Sequence, residues 1–370
     1  MEIHQFVPDF SYGDAIGNDA IGIQRILKGW GFNSKIFSKV IHPMYRNKAE
    51  YYLYYRYHHH PDNILIFHYS TGTELIDFVR DFPEKKILIY HNITPAHWFE
   101  GINQKVADRC HAGRQILSKL TGMFDMALGD STYNKEELDA LGYPITGVLP
   151  IIVDVSAYRR SMKKSPGFPY LKHHIPTLLH VGRAAPNKRL EDIIKIFYFC
   201  KKSNPRLRLF LVGSHYDTET YVNSLEELTR RLNLRDVIFP GHLSTQTLTE
   251  IYTHASAYLC MSEHEGFCVP LVESMFFGIP IFAYRAAAVP ETLGDAGILF
   301  DKKDFPEIAE AVIEILENRD LRNHLIENGK KRMQTFTETA VAPILKQHLQ
   351  KIGVGLNMRK VCERKVRTED

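Results

Sequence analysis

Two glutamates with a turn between them carry the clearest chemical signal in this chain: Glu265-Gly-Phe-Cys-Val-Pro-Leu-Val-Glu273, followed by Ser-Met-Phe-Phe-Gly-Ile-Pro280. Gly266 begins the turn, and Pro270 suits the first turn of a helix, so the pattern predicts a helix over Val269–Phe277. Its first amides, near Phe267, Cys268 and Val269, have no partner within the helix. Together with the positive end of the helix dipole they form a site for phosphate oxygens. Glu273, about one turn further in, can accept hydrogen bonds from a ribose diol. Glu265, before the turn, can meet sugar hydroxyls on the other side of a diphosphate. The competing reading is a solvated pair of glutamates around an ordinary turn.

Further segments have matching chemistry. In Val181-Gly182-Arg183-Ala-Ala-Pro-Asn-Lys188, Arg183 can grip a phosphate with two parallel N–H donors while Lys188 supplies a point charge. Phe239-Pro-Gly-His242-Leu243 and Ala287-Ala288-Val289-Pro290-Glu291 are turns that follow strand-like runs. Gly13-Asp-Ala-Ile-Gly17-Asn18 follows the first strand and opens a helix; it reads equally as a close-approach loop or a plain strand–helix turn. Tyr90-His91-Asn92 ends a strand, where a histidine can hydrogen-bond a ligand or serve the core. Asp130-Ser131-Thr132 reads as a helix cap without chemistry. His58-His59-His60 follows a tyrosine-rich run and has no partners at metal-ligand spacing, so it reads as loop surface. No Asp-x-Asp occurs to clamp a metal–diphosphate.

The elements that must position these residues alternate along the chain, which predicts an α/β protein with parallel sheets. Strands are read at Glu2–Val7, Ser34–Phe37, Asn63–His68, Lys86–Tyr90, Met123–Leu128 and Thr146–Leu149. They recur at Thr177–Val181, Leu207–Val212, Val237–Phe239, Ala257–Cys260, Ile279–Ala283 and Ile298–Phe300. Helices fall between them, notably Asp19–Trp30, Asn103–Leu120, Asn134–Leu141 and Leu190–Lys202, and then almost continuously from Phe305 to Lys351. With 370 residues, two doubly wound domains facing a cleft are expected. The division is residues 1–155, a basic connection over 156–176, a second domain over 177–335, and a terminal helix and tail over 336–370. That helix is read as crossing back to the first domain, with Pro343 near its first turn.

Composition sets the outer limits. Apolar residues make up 44% of the chain, which excludes a disordered or collagen-like protein. Forty-six basic against 43 acidic residues is too even for a nucleic-acid binder. No uncharged apolar run is long enough for a transmembrane helix, and Met1-Glu2-Ile3-His4 opens without the basic start of a secretory leader. The five cysteines (Cys110, Cys200, Cys260, Cys268, Cys362) are scattered without a C-x-x-C pair and are expected to be reduced, in a cytoplasmic protein. Lys105, Arg109, Arg114 and Lys119 put a basic face on the helix at 104–120. It is read as an amphipathic helix packed on its sheet, in preference to one touching an anionic membrane.

In their joint order, these segments resemble the retaining glycosyltransferases of family four, which have the GT-B fold; the likeness is strongest from about Val181 to Phe300. The resemblance implies an enzyme that moves a hexose-type sugar from a nucleoside-diphosphate sugar to a hydroxyl of a glycan or lipid-linked acceptor. Retention at the anomeric carbon is implied, without metal or other cofactor, in surface-polysaccharide, lipid-linked glycan or glycoconjugate synthesis. It implies that Arg183 and Lys188 hold the donor diphosphate and that backbone near Leu243 reads the base. Glu265, Gly266, Phe267, Cys268, Val269 and Glu273 would form the donor site, Gly17 would approach the diphosphate or sugar, and His91 would contact the transferred sugar. Catalysis would rest on His91, Arg183, Lys188 and Glu265. A peripheral location at the inner membrane face is compatible with a lipid-linked acceptor. The chain departs from the family at Cys268, where a second glycine is common and where a positive φ would be disfavoured for cysteine. Three alternatives stay open: a GT-B sugar-nucleotide epimerase, a non-catalytic sugar-nucleotide-binding subunit, and a dinucleotide oxidoreductase, the last lacking a complete G-x-G-x-x-G.

Overall fold

The computed structural model of the chain describes residues 1–11, 13–163 and 175–355. Seven parallel strands form the first sheet: β1 (Ile3–Phe10), β2 (Ile36–Ile41), β3 (Glu50–Tyr51), β4 (Ile64–Tyr69), β5 (Lys85–Tyr90), β6 (Met126–Gly129) and β7 (Thr146–Val148). Their spatial order is β3-β2-β1-β4-β5-β6-β7. Six more form the second sheet: β8 (Thr177–Val181), β9 (Arg208–Val212), β10 (Val237–Gly241), β11 (Ala257–Cys260), β12 (Ile281–Tyr284) and β13 (Gly297–Phe300), in the order β10-β9-β8-β11-β12-β13. The inner strands are apolar on both faces, as a sheet covered by helices on each side requires: all six residues of β4 and all five of β9 are buried.

Strand order reverses beside β1 in the first sheet and beside β8 in the second. At such a switch point neighbouring connections leave in opposite directions, and a crevice opens at the carboxyl ends of the strands. The Gly13 loop follows β1, and the Gly182–Lys188 loop follows β8. Gly213, after β9, is required by contact rather than by turn type: a Cβ there would lie 1.8 Å from the Gly182 carbonyl oxygen.

Several boundaries differ from the sequence reading, each for a local reason. The first helix starts at Ala15 instead of Asp19, because the Asp14 carboxylate accepts from the Gly17 amide and caps it there. The region from Phe305 is broken after Glu317, where Asn318 caps a new helix by accepting from the Leu321 amide. It is broken again before the final helix, Glu338–Lys351. Pro343 lies in the second turn of that helix, beyond the position expected. Val341, Leu345 and Leu349 of the same helix bury against Ile23, Leu27 and Leu128, so it packs on the first sheet's side of the molecule. The connection's start is structured: Ser156–Ser161 forms a short helix. Residues 164–174, with the basic Lys164 and Lys172, and the tail from 356, including Cys362, lie outside the described residues.

The helix Gln104–Ser118 is anchored within the protein. Arg109 pairs with Asp217 at 2.9 Å and Arg114 pairs with Glu137, while Val106, Ala107 and Leu117 are buried. Two of the four cations on its basic face are therefore tied to carboxylates. No helix among the described residues is long and apolar enough to cross a membrane.

Candidate active site

The two switch-point loops and the helix Val269–Phe277 enclose one cleft. Gly13, Asp14 and Asn18 line it from the first domain, and Arg183, Leu243, Val269 and Glu273 from the second. Its volume is about 480 Å³, within the range of small-molecule sites. Gly17 is not among its lining residues: it is buried in the first turn of its helix, against Phe10. The freedom expected of Gly17 belongs to Gly13, whose φ is +77° and above whose Cα there is open space.

Arg183 is exposed at the cleft, with its guanidinium over the Phe99 ring at 5.7 Å. It has no carboxylate at salt-bridge distance among the described residues. Lys188 is differently placed. Its ammonium meets Glu265 at 2.5 Å, and the pair lies behind the lining with side chains 20% and 8% exposed. Burial pushes the Glu265 carboxyl up, but the Lys188 charge and hydrogen bond outweigh it and hold the group below its ordinary range. Burial likewise lowers Lys188, and Glu265 reverses that, so both groups are ionised at neutral pH.

Glu273 shows the opposite balance. Its two carboxylate oxygens accept from the Tyr158 and Tyr252 hydroxyls, each at 2.6 Å. Burial raises its pKa, and the two phenol hydrogen bonds only partly offset this. Tyr158 comes from the short helix in the connection, a residue that sequence reasoning missed because nothing in its local pattern points to a carboxylate 115 positions away.

The backbone around the glutamate motif is shaped by the other domain. A Cβ on Gly266 would lie 2.6 Å from the Asn92 Cβ and 3.1 Å from the His91 carbonyl oxygen, and the Ser131 hydroxyl donates to the Gly266 carbonyl at 2.8 Å. Glycine is needed here for the approach of the first domain. Cys268 caps the following helix with φ +74°, the left-handed geometry that its side chain was expected to resist. Its thiol is buried, 3.9 Å from that of Cys260. Phe267 packs edge-on against Phe336 and is part of the core.

His91 belongs to a buried chain of hydrogen bonds whose direction can be worked out. The Gln5 amide nitrogen donates to the Ala20 carbonyl at 2.9 Å, which leaves Gln5 Oε1 to accept from His68 Nε2 at 3.0 Å. Burial lowers the His68 pKa well below its usual value, so the ring is neutral and its Nδ1 accepts from His91 Nε2 at 2.8 Å. His91 Nδ1 then faces Asp130 Oδ2 at 3.0 Å. A neutral His91 would set a bare nitrogen against a carboxylate, so this pair must keep one further proton. Burial lowers His91, but the Asp130 charge outweighs that and raises it. Both ring nitrogens are thus engaged within the protein, and neither is free to meet a sugar as expected. Asp130 was read as part of a cap without chemistry; the Ser131 hydroxyl makes the cap, and Asp130 holds the proton on His91.

Two groups of side chains have metal-ligand chemistry and proximity: Asp19 with His68 and His91, and Cys260 with Glu265 and Cys268. Asp19, raised to about 7 by burial, accepts from the Ile152 amide at 2.9 Å. The histidine nitrogens and Glu265 are engaged as described.

With this geometry in hand, similarity to known proteins can be placed on it. Residues 168–332 match the family model of glycosyl transferases group 1. Over those residues the chain is similar to glycosyl transferases group 1. O-antigen chain mannosyltransferase B of Escherichia coli is 24% identical over 162 residues, 43% of this chain and 42% of that protein. The capsular polysaccharide biosynthesis glycosyltransferase CapM of Staphylococcus aureus is 24% identical over 157 residues, 42% of this chain and 40% of that protein. These matches span less than half the length of either relative. The structure of HepE from Anabaena, solved with UDP and glucose, superposes with a TM-score of 0.75 at 16% identity and covers 95% of this chain and all of that one. The fold is GT-B: two doubly wound α/β domains facing a cleft.

Proposed function

We propose that this chain moves a hexose-type sugar, with retention, from a nucleoside-diphosphate sugar to an acceptor hydroxyl in polysaccharide or glycoconjugate assembly. The observation that carries the reading is the convergence of Arg183, the start of the helix at Val269 and the half-buried Glu273 on one cleft. Arg183 and the free amides suit a diphosphate, and Glu273 suits the diol of a ribose. The names of the polysaccharide-forming relatives, and UDP and glucose in HepE, support the same ligand class.

In this reading the donor lies against the second domain, with its base near Leu243, and the acceptor enters from the first. As the bond to the diphosphate breaks, positive charge grows on the sugar and negative charge on the leaving phosphate. Arg183, the helix amides and, behind them, Lys188 stabilise the latter. In this reading the acceptor attacks on the face the phosphate leaves, and the phosphate takes the hydroxyl proton.

A thermal-shift series of nucleoside diphosphates and their sugars tests the donor site, since a ligand bound only by the native state raises the melting temperature. One base series should stabilise the wild type, less so Arg183→Ala and Glu273→Ala. No shift with any nucleotide would remove the assignment. Incubation with a stabilising donor and no acceptor distinguishes the epimerase alternative, which would turn over the donor alone.

A further inference from the structure

The tyrosine-rich run before His58 takes no part in the cleft, yet it forms the most unusual surface of the molecule. Half of the large apolar side chains that are exposed among the described residues fall between positions 40 and 57: Val40, Met44, Tyr51, Leu53, Tyr54 and Tyr57. Tyr57 is 83% exposed and Met44 64%. They sit on the outer edge of the first sheet, on β2, on the two-residue strand β3, and on the 3-10 turns Pro43–Tyr45 and Tyr52–Tyr57 that follow them. Tyr45 and Tyr55 are buried beneath and anchor those turns, so the exposed rings are presented by a fixed framework.

Between Val40 and Tyr57 the charges without an ion-pair partner among the described residues are all positive. Arg46, Lys48 and Arg56 have no carboxylate at salt-bridge distance among the described residues, while Glu50, the one acid between residues 35 and 60, is held by Lys35 at 2.7 Å. Lys48 lies over the Tyr45 ring and Arg56 over the Phe78 ring, which keeps both cations beside aromatic faces. Exposed tyrosines mixed with unpaired arginine and lysine match a bilayer interface, where rings sit at headgroup level and cations meet anionic lipid. A symmetric contact with a second copy would set the same positive patch against itself.

We propose that this edge, Val40 to Tyr57, is a docking surface for an anionic lipid bilayer. The placement suits the cleft. The end of β2 pairs with the end of β1, Asp9 with Val40 and Phe10 with Ile41, and β1 leads into the Gly13 loop on the acceptor side. A chain resting on this edge brings the acceptor side of its cleft close to the membrane surface. The surface is distinct from the helix Gln104–Ser118, whose Arg109 and Arg114 are paired with carboxylates.

The test is cosedimentation of the full chain with vesicles of phosphatidylcholine alone and of phosphatidylcholine with phosphatidylglycerol. The wild type should bind only the anionic vesicles and be released by high salt. Each basic side chain near such a surface contributes about fivefold in partition, so Arg46→Gln/Lys48→Gln/Arg56→Gln should lower it about a hundredfold. Tyr54→Ser/Tyr57→Ser, at exposed positions, should lower it as well. Both variants should keep the wild-type melting temperature and its shift with nucleotide, which confirms their fold and separates this surface from the donor site. Equal binding to neutral vesicles, no binding by the wild type, or undiminished binding by either variant would overturn the proposal. So would a concentration-dependent dimer in sedimentation velocity that the same substitutions abolish, because the edge would then be a contact between copies.

Discussion

Removing Lys188 while keeping the length of its side chain, as in Lys188→Met, leaves Glu265 as a buried carboxylate without its counter-ion. The pair is 2.5 Å apart and Glu265 is 8% exposed, so little water is available to replace the ammonium. Breaking a buried pair from one side costs about 3–5 kcal/mol. Lys188 is 20% exposed, which places this case near the lower end, about 3 kcal/mol. For a domain of this size each kcal/mol moves the melting temperature by about 2–4 °C, so a fall of about 10 °C is expected near pH 8. The pH dependence is the decisive part. In the wild type the Glu265 pKa is depressed, so its contribution is present above the unfolded value of 4.5 and is lost only as pH falls through the lower folded value. In the variant, burial acts unopposed and raises that pKa above 4.5. The ionised carboxylate then opposes folding at high pH, and the penalty shrinks as the group takes up a proton. Calorimetry from about pH 8 down to about pH 5 should therefore show the gap between wild type and variant narrowing. Lys188→Met/Glu265→Gln should recover more than half of the loss. A gap that stays constant with pH, or a double variant no more stable than the single one, would refute the reasoning.

Other consequences can be checked as directly. Tyr158→Phe/Tyr252→Phe removes both donors to Glu273, and its affinity for a nucleoside diphosphate should fall about tenfold by titration calorimetry. A 2′,3′-dideoxy nucleotide should be unaffected, and an equal loss for both ligands would mean that the tyrosines do not act through the ribose. At Cys268, an N-cap with positive φ, glycine should be favoured over alanine. Cys268→Gly relieves the positive φ and Cys268→Ala keeps it, so glycine should be more stable by about 1 kcal/mol in urea unfolding. Alanine as stable as glycine would exclude strain at that residue. His91 has a raised pKa, so its contribution to stability is complete below 6.5 and is lost as pH rises through the higher folded value. Asp130→Asn should remove that decline between about pH 6 and about pH 9 in thermal melts, and an unchanged profile would place the His91 proton elsewhere.

Much of the fold was legible because its signals are local. Inner strands of a parallel sheet are continuous apolar runs, and Thr177–Val181 and Ala257–Cys260 fall where the sequence places them. The helix Val269–Phe277 announces itself through Gly266 and Pro270. Two-residue β3 gave no periodicity to read, and Asn318 was passed over as a cap because apolar residues continue on both sides of it. Arg183, Leu243, Val269 and Glu273 were likewise readable, since each is positioned by its own strand end or helix start.

What the sequence alone determined, then, is the set of elements and the places of the loop after β8 and of the helix after the glutamate motif. These depend on backbone groups within a few residues of one another. The tertiary structure decided which charges are free. Among the described residues Arg183 has no ion-pair partner, Lys188 is committed to Glu265, Glu273 is held by two tyrosines, and His91 is held by Asp130 and His68. Those pairings join residues from 21 to 115 positions apart. Protonation depends on burial and on the nearest partner in space, and the helices and strands of both domains must assemble before either exists.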